Sequence, residues 1–117
     1  MTQHDPMVSL SQMRDHAREA LDLVAGRGRG DLDADRVRTL ALVRLLEIVG
    51  EAANRVPSQE RATYPAIPWS QIIGLRNRLI HAYDHVDLDI LWQILTKHLP
   101  PLVAELDAIL PFNDRPA

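Results

Sequence analysis

The sequence predicts an all-α protein, an up-and-down bundle of four main helices with a kinked last helix. Three observations carry that expectation. Apolar residues recur at intervals of three and four over long stretches, and nothing alternates with period two. The apolar palette is Leu, Ile, Val and Ala, with aromatics at only 4%. At 117 residues and 46% hydrophobic side chains, the chain reads as a single domain over 1–117 that can bury its own core. The ordered bundle is expected over about 8–110, with a frayed tail at 112–117.

The first helix is expected from Ser9 to Ala25, where Leu10, Met13, Ala17, Leu21 and Val24 make one apolar stripe and Gly26 supplies a stop. GRGRGDLDAD, residues 26–35, reads as a mobile connection in which Arg27 and Arg29 are either solvated or in touch with an anionic partner. Asp33 or Asp35 can cap a second helix running to Arg55, before Pro57. Its wide apolar face comprises Val37, Leu40, Val43, Leu45, Leu46, Val49, Ala53 and Val56. Gly50 lies inside that helix, where glycine costs about 1 kcal/mol against Ala. Close approach by a neighbouring helix is the reason to expect for it.

SQERATYPAIP, residues 58–68, is a connection with one helical turn. Pro68 suits the first position of a third helix, expected from Pro68 to Tyr83. Asp87 then caps a fourth, with Leu88, Leu91, Trp92, Leu95 and Leu99 facing inward. Pro100 and Pro101 must kink or restart it before Leu102, Val103, Leu106 and Leu110 continue the stripe. Trp69 and Trp92 sit where core anchors are wanted.

Composition narrows the function classes. Without cysteine there is neither a disulfide framework nor a thiolate metal site. Residues 1–7 lack the basic start and apolar run of a signal peptide, and LALVRLLEIVG (residues 40–50) is too short and too charged to span a bilayer. A soluble cytoplasmic protein with no membrane partner is expected. The net charge of −3 argues against nonspecific coating of nucleic acid, though not against an enzyme with a small basic patch.

The stretch LRNRLIHAYDHVD, Leu75 to Asp87, asks for more than packing. On a helix turning about 100° per residue, Ile72, Leu75, Leu79, Ala82 and Val86 form the core stripe. Arg76, Asn77, His81, Tyr83 and Asp84 share the arc beside it, with Ile73 and Ile80 among them. Apolar residues on that arc suggest a cover, most economically a partner subunit. His81 can take or give a proton near neutral pH, and the Arg76 guanidinium can grip and stabilise a phosphate. Asn77 can hold the imidazole or a ligand. Together they suit phosphodiester cleavage by the RNA's own 2′-hydroxyl, with no metal. A structural His and a solvated Arg are the competing readings, and residue types alone leave both open.

Three blocks in register turn that choice. RNRLIHAY (residues 76–83) within IPWSQIIGLRNRLIHAYDHVDLDILW (67–92), RLLEIVGEA (44–52) and LPPL (99–102) resemble HEPN-domain toxins of the HepT type. The resemblance implies a HEPN-like helical homodimer, or a higher homo-oligomer, whose motif helices face each other across a shared cleft. It implies a metal-independent endoribonuclease, the toxin of a type VII-like toxin–antitoxin pair, with Arg76 and His81 catalytic and Asn77 as a motif polar residue. The implied partner is an MntA-like nucleotidyltransferase that silences the toxin by adding AMP to Tyr83. The alternative is a catalytically silent dimeric binding subunit of a nucleotidyltransferase complex.

Around the motif, Glu47, Glu51 and Asn54 share one side of the second helix; they read first as a structural or solvated carboxylate face, and in the sharper reading Glu51 orients Arg76. RNA selection would rest on a local patch including Arg55, Arg61 and Arg78. His81 and His85 have a spacing that can bind metal, but Asp87 reads as a cap and no HExxH surrounds them, so no metal and no cofactor is assigned.

Overall fold

The computed structural model describes residues 5–80 and 85–110, and every described element is helical. Helix α1 (Pro6–Val24) starts where Asp5 accepts from the Met7 amide at 2.9 Å and Pro6 fits the first turn. It ends before Gly26, whose φ of 74° lies in the left-handed region. Helix α3 (Arg36–Arg55) is capped by Asp35, which accepts from the Arg38 amide at 3.0 Å. That bond, with the Arg38 side chain behind it, holds the Asp35 carboxyl below the usual aspartate range. At the other end, Arg61 of α4 (Ser58–Thr63) donates to the carbonyls of Val56 at 2.8 Å and Asn54 at 3.0 Å. Arg61 therefore closes the end of α3.

The core lies where α1 packs on α3 and α8 (Leu99–Ile109), and where α3 packs on α5 (Trp69–Ile73) and α6 (Leu75–Leu79). Leu10, Met13, Ala17, Leu42, Leu46, Val49, Leu79, Leu91, Leu99 and Leu106 are buried there. Two members of the expected apolar face of α3 are not. Val37 is 79% exposed and Leu40 48% exposed. They lie on the side of the helix turned away from the inward row of Thr39, Leu42, Val43 and Leu46.

Three departures from expectation have identifiable causes. The connection after α1 contains a short helix, α2 (Gly30–Ala34), pinned by contacts distant in sequence. Leu32 is buried and its carbonyl accepts from the Thr39 hydroxyl at 2.9 Å. Arg29 bonds both Asp33 and Asp89 at 2.8 Å, and the Asp89 bond above all raises the pKa of its guanidinium.

Over the described residues, two short helices stand where one third helix was expected. The run breaks at Gly74 between α5 and α6, then stops at Leu79, because Ile80 adopts extended dihedrals (φ −110°, ψ 118°) and pairs antiparallel with Val86. The Asp87 amide donates to the Leu79 carbonyl at 3.0 Å and closes that pairing. A single helical wheel therefore holds only as far as Leu79. His81, Ala82, Tyr83 and Asp84 lie outside the described residues, as does the expected tail at 112–117.

The last helix accommodates its prolines by widening. After α7 (Leu88–Gln93), which Asp87 caps as expected, Ile94–His98 form a π turn in which the Leu99 amide donates to the Ile94 carbonyl. Pro100 and Pro101 have no N–H to give the carbonyls of Thr96 and Lys97, so ordinary α bonding cannot run through this point. Among the described residues, no helix is long and apolar enough to cross a membrane.

Candidate active-site cleft

The described part of the motif borders a shallow cleft of about 240 Å³ between α3 and the α5–α6 segment. From α3 come Glu47, Gly50, Glu51 and Asn54, and from the other wall Ile73, Arg76 and Asn77. Gly50 sets how close those walls stand. A Cβ there would sit 2.9 Å from the Ile72 carbonyl oxygen, so the backbone of α5 rests directly on the glycine. Leu75 and Leu79 then anchor α6 in the core and turn Arg76 and Asn77 outward.

Arg76 donates through Nε to Oε2 of Glu47 at 3.3 Å. This corrects the expected pairing: Glu51, one turn further along α3, meets Arg44 at 3.4 Å instead. Glu47 is the better anchor because its side chain is only 21% exposed, against 50% for Glu51. An ion pair with a 63% exposed Arg76 stabilises the fold by less than about 1 kcal/mol, so its consequence is orientation. Using Nε leaves the two terminal nitrogens of the guanidinium to grip a further acceptor such as a phosphate.

Arg76 and Glu47 also border a second, open groove of about 1180 Å³, walled by Leu32 and Asp33 of α2, by Arg36 and Leu40 of α3, and by Ile80, His85, Val86 and Leu88. The ion pair thus stands where a polar cleft meets an apolar-edged groove. The exposed Leu40 faces Ile80, Val86 and Leu88 across it, which is the kind of apolar surface a partner covers.

Of the expected site residues, the fold brings Arg76, Asn77 and Glu51 to one cleft, while His81 and Tyr83 fall in the segment outside the described residues. The pairing of Ile80 with Val86 draws the two ends of that segment together beside Arg76. The residue whose role was missed is Glu47. Its helix position was visible, but Glu47 and Glu51 share one face, and only the packing of α6 on α3 selects between them. Arg55 is exposed, while Arg78 turns to a different cavity from Arg76. Trp69 is half-buried, and its indole N–H donates to the carbonyls of Arg61 and Tyr64, tying α4 to α5. Among the described residues, no three His, Asp or Glu side chains group as metal ligands.

Comparison with known proteins bears on what such a cleft is for. A family model described as ribonuclease HepT-like matches residues 13–109. A protein of Caldanaerobacter subterraneus subsp. tengcongensis, provisionally named an RNase, is 38% identical over 90 residues, which are 77% of this chain and 80% of that protein. A Thermococcus cleftensis protein, provisionally named ribonuclease HepT, is 34% identical over 79 residues, 68% of this chain and 72% of that protein. A Methanocaldococcus jannaschii protein with a provisional RNase name is 28% identical over 109 residues, covering 93% of this chain and all of that protein. No solved structure matches the chain significantly.

Proposed function

The chain belongs to the HepT-like ribonuclease family, and from that premise we propose that it is a metal-independent endoribonuclease working as the cytoplasmic toxin of a type VII-like toxin–antitoxin pair. The observation that carries the reading is the Arg76–Glu47 pair: a mostly exposed guanidinium, held by one nitrogen at the lip of a cleft, with Asn77 beside it.

In this reading the scissile phosphate docks on the terminal nitrogens of Arg76. His81 takes the proton from the 2′-hydroxyl as the 2′-oxygen bonds to phosphorus, and a proton returns to the 5′-oxygen as its bond to phosphorus breaks. Arg76 stabilises the extra negative charge on the crowded phosphorus. No water is consumed, so the products are a 2′,3′-cyclic phosphate and a 5′-hydroxyl. Asn77 orients the imidazole or the RNA. A second copy of the chain covers the groove beside Leu40 and Ile80, which makes the working unit a homodimer. An MntA-like nucleotidyltransferase silences it by forming an ester between the Tyr83 oxygen and the α-phosphorus of ATP, with pyrophosphate leaving.

The deciding experiment uses protein made without any partner. Wild type and His81→Ala are incubated with total cellular RNA in excess EDTA, and the ends of the fragments are analysed. Cleavage by wild type alone, leaving cyclic phosphates, supports the proposal. Cleavage that appears only when magnesium replaces the EDTA, leaving 5′-phosphate ends, would point to metal-dependent hydrolysis. Failure of both folded proteins to cut would reassign the chain as a silent binding subunit of a nucleotidyltransferase complex. AMP found on a residue other than Tyr83, after incubation with the partner and ATP, would remove the proposed mode of silencing.

A further inference from the structure

Arg76 and Arg78 leave the same short helix towards different cavities. Arg78 borders one of about 240 Å³ enclosed by the loop before α5, by α5 and α6, and by the π turn and α8. The floor of that cavity is aliphatic: Ile67, Ile72, Leu75, Ile94, Leu99 and Leu102 are each at most 5% exposed. Its mouth is basic, with Arg78, Lys97 and His98 opposed by Glu105. Among the described residues, none of these four side chains has an ion-pair partner. Lys97 and His98 are consecutive, and the widened π turn sets both at the same rim; such turns recur at functional sites.

A chain of net charge −3 that gathers three bases around an aliphatic cavity is complementary to an anion with an aliphatic body. At roughly 30 Å³ per water-sized unit, the cavity has room for about eight non-hydrogen atoms. Among the described residues that line it there is no Phe, Tyr or Trp, the broad rings on which a nucleobase stacks best.

We propose that this cavity is a binding site for a small aliphatic carboxylate of about six carbons, a size that follows from the volume and the water-sized unit above. Arg78 and Lys97 hold the carboxylate, His98 adds a third donor at the mouth, and the chain lies over Ile72, Leu75 and Leu102. Leu75 and Arg78 share a five-residue helix with Arg76 and Asn77. Occupancy therefore bears on the back of the helix that carries the cleft's guanidinium, and it changes the rate of RNA cleavage. This last step rests on the function proposed above; the binding step does not.

The test is a titration of the full chain with hexanoate, followed by amide chemical shifts. Hexan-1-ol and AMP serve as parallel probes. Saturable shifts at Ile72, Leu75, Ile94 and Leu102 are expected with hexanoate, and binding at least tenfold weaker with hexan-1-ol. The Arg78→Gln/Lys97→Gln double variant, which alters only rim residues, should keep its circular dichroism and lose at least tenfold in hexanoate affinity. Equal binding of the alcohol, unchanged binding by the double variant, shifts elsewhere, no shifts, or binding of AMP in preference to hexanoate would each overturn the site. Cleavage measured with and without hexanoate tests the coupling separately: an unchanged rate at saturating hexanoate removes the coupling and leaves the binding site standing.

Discussion

Helices α1 and α3 and the α5–α6 segment are built on opposite principles. The two long helices have 19 and 20 residues, side-chain caps at Asp5 and Asp35, and a row of buried side chains along their length. Helices α5 and α6 have five residues each and no side-chain cap. An isolated helix that short does not form in water. It exists here because Ile72, Leu75 and Leu79 are buried and because Gly50 lets its backbone lie on α3. The difference teaches where the candidate site gets its geometry. The long helices would keep their shape without it, whereas the pieces carrying Arg76 and Asn77 are held almost wholly by docking.

Breaking the dock should have the largest effect. Gly50→Ala places a methyl group 2.9 Å from a backbone oxygen that has no flexible end to move. A loss of about 2 kcal/mol or more is expected, a fall in melting temperature of roughly 8 °C, together with loss of cleavage. Gly26→Ala is the matched control on the scaffold side. Nothing lies within 4 Å of its Cβ, so only the backbone strain of its positive φ, about 1 kcal/mol, should appear. Equal melting temperatures for the two variants would sink the contrast.

The next test acts within the cleft. Glu47→Gln should lower kcat about tenfold through a loosened Arg76, with KM and melting temperature nearly unchanged. Glu51→Gln should leave kcat close to wild type, because its carboxylate pairs with Arg44. The reverse ranking in a steady-state cleavage assay would return the orienting role to Glu51.

Smaller effects belong to the scaffold's ends. Arg61→Gln removes two charge-assisted bonds to carbonyls at the end of α3 and should cost about 1.5 kcal/mol in a urea titration. No change would show that water replaces the guanidinium there. The Asp35 cap should be seen mainly through pH. Its carboxyl titrates lower in the folded chain than in the unfolded one, so its contribution is complete above about pH 4 and disappears as the pH falls through the folded value. Melting temperature should therefore drop more steeply below pH 4 in wild type than in Asp35→Asn. Parallel pH profiles would remove Asp35 as the cause.

What was legible in the sequence divides along the same line. The stripe of α1, the Asp87 cap and the close approach at Gly50 follow from spacing and residue type within one helix, so they could be read directly. The break at Gly74 and the stop at Leu79 could not. Ile72, Leu75 and Leu79 keep helical spacing straight through the break, and the extended turn at Ile80 depends on Val86, across the motif. Likewise α2 depends on Arg29 reaching Asp89, 60 positions away. In the site, the cleft position of Arg76 and Asn77 was legible from residue type and from the family resemblance. The choice of Glu47 over Glu51 was not, because it is made by how two helices pack.

The π turn at Ile94–His98 has a consequence for register along the whole last helix. Its inward leucines stand at positions 91, 95, 99, 102, 106 and 110, five steps covering 19 residues. At about 100° per residue, an unbroken α-helix would carry Leu110 roughly 100° out of phase with Leu91, which is one residue too many. The wide turn absorbs that surplus residue, so the leucines of both halves of the helix stay buried. Deleting a single residue such as Thr96 would bring the Leu99 amide and the Ile94 carbonyl to α spacing, with the two prolines still lacking an N–H to give. The leucine edge would keep its phase, and the mouth formed by Lys97 and His98 would close up. Inserting one residue elsewhere in the helix has no such reservoir, and would turn Glu105 towards the core.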